Sequence, residues 1–205
     1  MSNLLSLFTT IIYKQNLINS KDFLNVSELA HTCLSFANDD EAGQKWCEIN
    51  SFPGYTSYSS LNDLTWRAPI FEDLKKSLDK HVYFYSKKIK LDIKKNDIKL
   101  DSIWINILPH GGVHSSHLHP GSVVSGTFYV QIPKDSSGIK FEDPRLSMMM
   151  GSPMRKKNSP LPLKQFVDIK PEIGDVILWE SWLRHEVPLN SSQNERISIS
   201  FNYNM

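Results

Sequence analysis

The chain has 205 residues, 40% hydrophobic and 22% charged, enough for one well-buried domain spanning 1–205 without disulfide stapling. Lys and Arg total 23 against 22 Asp and Glu, which leaves no global field to recruit nucleic acid or an anionic membrane surface. The two cysteines, Cys33 and Cys47, lack C-x-x-C spacing and read as reduced thiols of a cytoplasmic protein.

The opening stretch, MSNLLSLFTTIIYKQNL, is apolar but has no basic residues ahead of it. It is broken by Thr9, Thr10 and Lys14 and has no small-residue cleavage site, so neither a signal peptide nor a membrane span is expected. A short strand is predicted over residues 5–13 and a helix over 20–37, followed by the loop-like SFPGYTSYSSLND with its Pro, Gly and Ser punctuation. Over 69–89 the apolar residues Phe71, Leu74, Leu78, Val82 and Tyr85 recur at spacings of three and four, the period of an amphipathic helix that packs on a sheet. Residues 1–95 thus read as a mixed, largely helical N-terminal part.

From about residue 96 the period changes to two. The stretches DSIWINILP, VVSGTFYVQIP, GIKFEDP, FVDIKP, GDVILWES and RISISFNYN are rich in Ile, Val, Phe, Tyr and Trp. Gly, Pro, Asp, Asn and Ser separate them, as in antiparallel strands of a sandwich or barrel, with connections mostly too short for the helices of a parallel sheet. The longest connection, LSMMMGSPMRKKNSPLPLKQ, carries three prolines and a basic cluster and reads as a flap over one end of the sheet.

Within this region HSSHLHPGSVVSG, residues 114–126, concentrates histidine. Along an extended strand, residues i and i+2 project to the same side, so His117 and His119 present two imidazoles to one point while Leu118 faces away. His185 stands just beyond the apolar run GDVILWE, and the final strand begins eleven residues later at Arg196. A barrel of antiparallel strands brings such distant segments together, so three imidazoles from two places can close on one metal.

The blocks HLHPGSVVSGTFYVQIP, IKFEDPR, GDVILWESWLRHEVP and ERISISFN, in this order, resemble the 2OG-Fe(II) oxygenase family known from marine bacteria and their phages. That family lies within the 2-oxoglutarate- and iron(II)-dependent dioxygenases. The resemblance covers most of 100–205 and implies a mainly β chain with N-terminal helices, whose residues 96–205 form a double-stranded β-helix of the jelly-roll or cupin-like kind. It further implies Fe(II) and 2-oxoglutarate as cofactor and cosubstrate, molecular oxygen as co-reactant, and decarboxylation to succinate with hydroxylation of a small-molecule or peptide substrate. By the same resemblance His117 and His185 stand at metal positions, and Arg196 with Ser198 matches the pair that holds the distal carboxylate of 2-oxoglutarate. A guanidinium offers a planar fork to a carboxylate, and a hydroxyl two residues on faces the same way along a strand.

One position departs from the common two-histidine, one-carboxylate triad: residue 119 is His. Three arrangements are compatible with that. Iron is held by three imidazoles; or His119 is the first ligand and Gly121 leaves an open position; or Glu142 or Asp143 supplies a carboxylate from another strand. Asn106 shares a strand face with Trp104 and is a candidate for the cosubstrate or the substrate, with a satisfied buried amide as the competing reading. Trp104, Trp179 and Trp182 could line a substrate cavity, with core aromatics as the favoured reading, and His110 and His114 read as flanking or surface residues. Arg145, Lys156 and Lys157 read as solvated, and Met148–Met150 as flap filler. Two other functions fit parts of the pattern: a three-histidine cupin-like metalloenzyme without 2-oxoglutarate, and a non-catalytic β-sandwich binding module. A homo-oligomer is compatible with the sequence, which does not fix the oligomeric state.

Overall fold

A computed structural model of the chain describes residues 3–18 and 25–205. The first strand, β1 (Tyr13–Asn16), starts where the strand predicted over 5–13 was to end; the described residues ahead of it are irregular and mostly exposed. Helix α1 (Val26–Asp39) overlaps the helix predicted over 20–37, whose part before residue 25 lies outside the described residues. Its Asn25 cap accepts a hydrogen bond from the Glu28 backbone N–H.

A second helix, α2 (Glu41–Ile49), was not foreseen in the sequence, and Gly43 explains why. Glycine weakens a helix signal, yet a Cβ there would sit 2.1 Å from the Asp40 carboxylate. That carboxylate caps α2 at the Gly43 N–H (3.0 Å) and accepts a further hydrogen bond from Tyr55 Oη (2.8 Å). Helix α3 (Pro69–Lys88) follows the predicted spacing, with proline at its first turn and Phe71, Leu74, Leu78 and Val82 fully buried. Each such side chain contributes about 1.5–3 kcal/mol on burial.

The remaining strands are β2 (Tyr55–Thr56), β3 (Lys99–Leu108), β4 (His114–His117), β5 (Val124–Gln131), β6 (Ile139–Glu142), β7 (Phe166–Ile169), β8 (Asp175–Glu180), β9 (His185–Val187) and β10 (Arg196–Asn204). They pair antiparallel into a six-stranded sheet, β1-β8-β5-β10-β3-β2, and a four-stranded sheet, β4-β9-β6-β7. This is the predicted mainly β jelly roll with helices added at the N-terminal side. Among the described residues no helix is long and apolar enough to cross a membrane.

Period-two alternation divides the larger sheet into two functional faces. Ile103, Ile105 and Ile107 of β3, Phe128 and Val130 of β5, Val176 and Leu178 of β8, and Ile197, Ile199 and Phe201 of β10 share one core with the apolar faces of the three helices. Gly126 is on that face because any side chain would collide with the Phe201 ring, 2.5 Å from its Cβ position. The intervening residues form the opposite face, which looks into the jelly roll, and there the composition turns polar. The register lays them in rows: Trp179, Ser125, Asn202 and Ser102; then Ile177, Thr127, Ser200 and Trp104; then Tyr129, Ser198 and Asn106.

Candidate metal centre

The smaller sheet brings the histidines to the first of these rows. His117 ends β4 and His185 opens β9, and the two are directly paired. His119 lies two residues past the end of β4. Its backbone N–H donates to Ser181 O (3.0 Å), just before the turn at Pro120–Gly121, where Gly121 has φ +85°. The chain stays extended enough for the period-two argument to hold: the His117 and His119 rings stack at 5.2 Å with planes 17° apart. One ligand nitrogen from each of His117, His119 and His185 lies within 4.8 Å of the others.

The Nδ1 atoms show which nitrogens are free. His117 Nδ1 donates to Ser115 O (2.7 Å), His185 Nδ1 to Leu183 O (2.9 Å) and His119 Nδ1 to Asn202 Oδ1 (2.5 Å). Each acceptor is a carbonyl-type oxygen, so each Nδ1 carries the proton and each Nε2 keeps its lone pair for a ligand bond. Outer-sphere bonds of this kind orient metal-binding imidazoles. Burial, reinforced by the neighbouring imidazoles, depresses all three: His185 is pushed down to about 2, and His117 and His119 are lowered as well. The centre is therefore neutral near pH 7 and ready for a divalent transition ion.

A stability consequence follows from the His185 value. In the unfolded chain this imidazole titrates near 6.5, against about 2 when folded, so between those values the unfolded state holds the extra proton. Its contribution is complete above about 6.5 and is lost as pH falls, by about 1.4 kcal/mol per pH unit for such a group. Urea unfolding of metal-free protein is expected to show a lower midpoint at pH 5 than at pH 7.5, with a shallower pH dependence in His185→Gln.

At the far end of the same cavity lies Arg196, 1% exposed. Its Nε donates to Ser137 O (3.2 Å), its Nη1 donates to Ser198 Oγ (3.1 Å), and the guanidinium lies over the Tyr129 ring at 5.1 Å. None of the ion pairs among the described residues involves it, and no Asp or Glu lines the cavity. A buried cation without a counter-ion is costly.

Among the described residues five buried side-chain polar atoms lack a hydrogen-bond partner, and three of them belong to residues that line this cavity: Asn106 Oδ1, Tyr129 Oη and Trp179 Nε1. Beside Arg196, the Tyr129 hydroxyl finds no acceptor for its proton. Asn106 Nδ2 donates to Ser200 Oγ (3.1 Å), so half of the amide is satisfied, as the competing reading held, while its Oδ1 is unpaired.

Asp143 lies apart from the histidine cluster. Its carboxylate binds the Arg145 backbone N–H (2.9 Å) and the Arg145 guanidinium (2.8 and 3.0 Å), so Arg145, read as solvated, is an ion-pair partner. Glu142 is likewise outside the cluster, its backbone N–H donating to Arg184 O. Trp104 and Trp179 are buried as expected yet also form cavity wall, whereas Trp182 is 48% exposed, because it sits in the turn between β8 and β9 rather than on a strand. His110 bonds Ser192 O, while His114 stacks on His117 at 4.2 Å and lines the cavity. From the N-terminal third, Phe52 meets His114 edge-on at 5.4 Å and Tyr58 meets Trp104 at 4.9 Å, so that part of the chain packs against two residues that line the cavity. Tyr129, Ser125 and Asn202 were missed in the sequence. Counting by twos back from Tyr129 or forward from Arg196 would have put them on the site face.

Three convergent imidazoles that could hold a metal ion, with a buried arginine in the same cavity, lie inside a double-stranded β-helix. Residues 102–202, which hold most of the strands, match the family model described as "Putative 2OG-Fe(II) oxygenase". A prolyl-4-hydroxylase from Pseudomonas putida is similar in fold, with 16% identity, TM-score 0.61 and coverage of 96% of this chain and 94% of that one. SnoN, a non-heme alpha-ketoglutarate-dependent epimerase from nogalamycin biosynthesis, is 11% identical with TM-score 0.65, covering 95% and 76%. HygX from Streptomyces hygroscopicus, solved with nickel and 2-oxoglutarate, is 14% identical with TM-score 0.59, covering 96% and 82%. Comparison with curated protein sequences finds no match.

Proposed function

We propose that the protein is a 2-oxoglutarate- and Fe(II)-dependent oxygenase in which His117, His119 and His185 hold the metal. Arg196 and Ser198, with Tyr129 beside them, receive the distal carboxylate of 2-oxoglutarate. The observation that carries this reading is the fully buried Arg196, without a carboxylate partner, in one cavity with three neutral imidazoles. The family match and the fold shared with HygX, crystallised with nickel and 2-oxoglutarate, support it.

Bound Fe(II) and 2-oxoglutarate supply oxidation with O2, in which 2-oxoglutarate, O2 and R–H yield succinate, CO2 and R–OH. The chain's own residues prepare that chemistry. The Nδ1 bonds fix the tautomers, Arg196 sets the orientation of the dicarboxylate, and Asn106 faces the cavity between its two ends. Tyr58 and Phe52 of the N-terminal third pack against Trp104 and His114, which line the cavity. The test is aerobic incubation with Fe(II) and 2-oxoglutarate, following succinate and oxygen uptake. Absence of succinate, with intact metal binding, would favour the three-histidine enzyme that uses no 2-oxoglutarate, a reading that leaves Arg196 without a role.

The ligand set has its own test. His119→Asp, which restores a carboxylate beside two histidines, is expected to keep or raise iron stoichiometry. Asp143→Ala should leave it unchanged while loosening the turn that its Arg145 bonds hold. Loss of iron in Asp143→Ala, read by metal analysis of untagged protein, would move the third ligand there.

A further inference from the structure

Trp179 is 1% exposed, yet its Nε1–H has no partner. An indole nitrogen only donates, so no tautomer or amide rotation relieves it, and unpaired buried donors are rare in folded proteins. If this place needed only an apolar ring, phenylalanine would fill it without the penalty, as Phe141 does next to it at 5.3 Å. The indole stands against the histidine cluster, with ring centroids 4.6 Å from His185 and 6.4 Å from His119. It lines the same cavity as Arg196, and that cavity offers it no carboxylate.

We infer that Trp179 Nε1–H donates a hydrogen bond to an anionic oxygen bound beside the three imidazoles. The inference rests on the reading proposed above, under which that oxygen belongs to the metal-chelating end of 2-oxoglutarate. Arg196 and Trp179 then grip opposite ends of one dicarboxylate, each supplying donors and neither needing to move a proton. Trp179 is in this sense a binding residue hidden among core aromatics. Its strand position explains the choice: it shares a sheet row with Ser125 and Asn202, which hold His119.

The test uses the full chain loaded with Zn(II) and carrying 15N-labelled indole. The five tryptophans give five Nε1–H resonances, and Trp179→Phe identifies the relevant one. On addition of 2-oxoglutarate that resonance should move downfield and exchange more slowly with water. Calorimetry on the same protein should show affinity lower by about 10- to 100-fold in Trp179→Phe, as for a lost hydrogen bond to a charged group. Metal stoichiometry should stay unchanged. Benzothienylalanine at position 179 keeps the bicyclic shape with sulfur in place of N–H and should weaken binding equally, separating the lost donor from the void phenylalanine leaves. A resonance that stays put while calorimetry registers binding, or a sulfur analogue that binds like wild type, would make Trp179 a packing residue. Absence of any binding heat would overturn the 2-oxoglutarate reading itself, and this assignment with it.

Discussion

Replacing Arg196 by Ala is expected to weaken 2-oxoglutarate binding by about 30- to several-thousand-fold while leaving metal occupancy nearly unchanged. The range corresponds to the roughly 2–5 kcal/mol lost when one partner of a buried, hydrogen-bonded charge pair is truncated. The cavity gives the cosubstrate no second cation: Arg196 is the single Lys or Arg among its lining residues. Arg196→Lys should recover only part of the loss, because an ammonium keeps the charge but not the fork that now bonds Ser198 and Ser137. Arg196→Met, similar in volume, should bind as poorly as Ala. It should also leave metal-free protein at least as stable as wild type, since it removes a buried charge that has no counter-ion. Anaerobic titration of Fe(II)-loaded protein, followed by the metal-to-ligand charge-transfer band, measures the affinities, and thermal unfolding measures stability. A band of equal affinity in all four proteins would remove Arg196 from the cosubstrate site, and a wild type without a band would sink the cosubstrate assignment.

His185→Ala is expected to abolish metal binding in practice. Losing an outer partner of a metal-bound histidine already costs about 10- to 100-fold in affinity, and His185 is proposed as a ligand itself, so its loss should exceed that range. The backbone should survive. His185 opens a three-residue strand paired between β4 and β6, and its neighbours Trp179, Phe141 and His117 are each anchored in other strands. His185→Gln, which fills more of the space, should bind metal as poorly while unfolding closer to the wild-type temperature. Metal analysis of untagged protein, with circular dichroism as the check on folding, gives the result. Wild-type stoichiometry in either variant would place the metal elsewhere.

The strands of the second half were legible because each is half buried on a sheet whose two faces differ, which imposes alternation of residue type on the sequence. The α3 face was legible for the corresponding helical reason, with Phe71, Leu74, Leu78 and Val82 repeating at its period. Helix α2 was not, since Gly43 is required by the approach of Asp40 and speaks against a helix when read locally. Trp179 is both buried and cavity-lining, the two readings its strand pattern allows, but period-two reasoning cannot tell a packed ring from one whose N–H lacks a partner.

By itself the sequence determined an antiparallel β second half, the extended H-x-H pair and the residue types that could meet it, because strand periodicity and side-chain chemistry are local properties; the jelly roll was implied by the family resemblance. Only the tertiary structure decided which candidates assemble. His185 is paired with His117 across two strands 68 residues apart in the chain, while Asp143, closer in sequence, is turned to Arg145 instead. The same holds for Arg196, whose guanidinium is ordinary in a sequence and becomes the proposed anion partner only when folding removes it from water and leaves no carboxylate beside it. Ligand sets and counter-ions are non-local. They depend on register between strands that the turn lengths and the buried face set together, and so they can be read only once the sheets are paired.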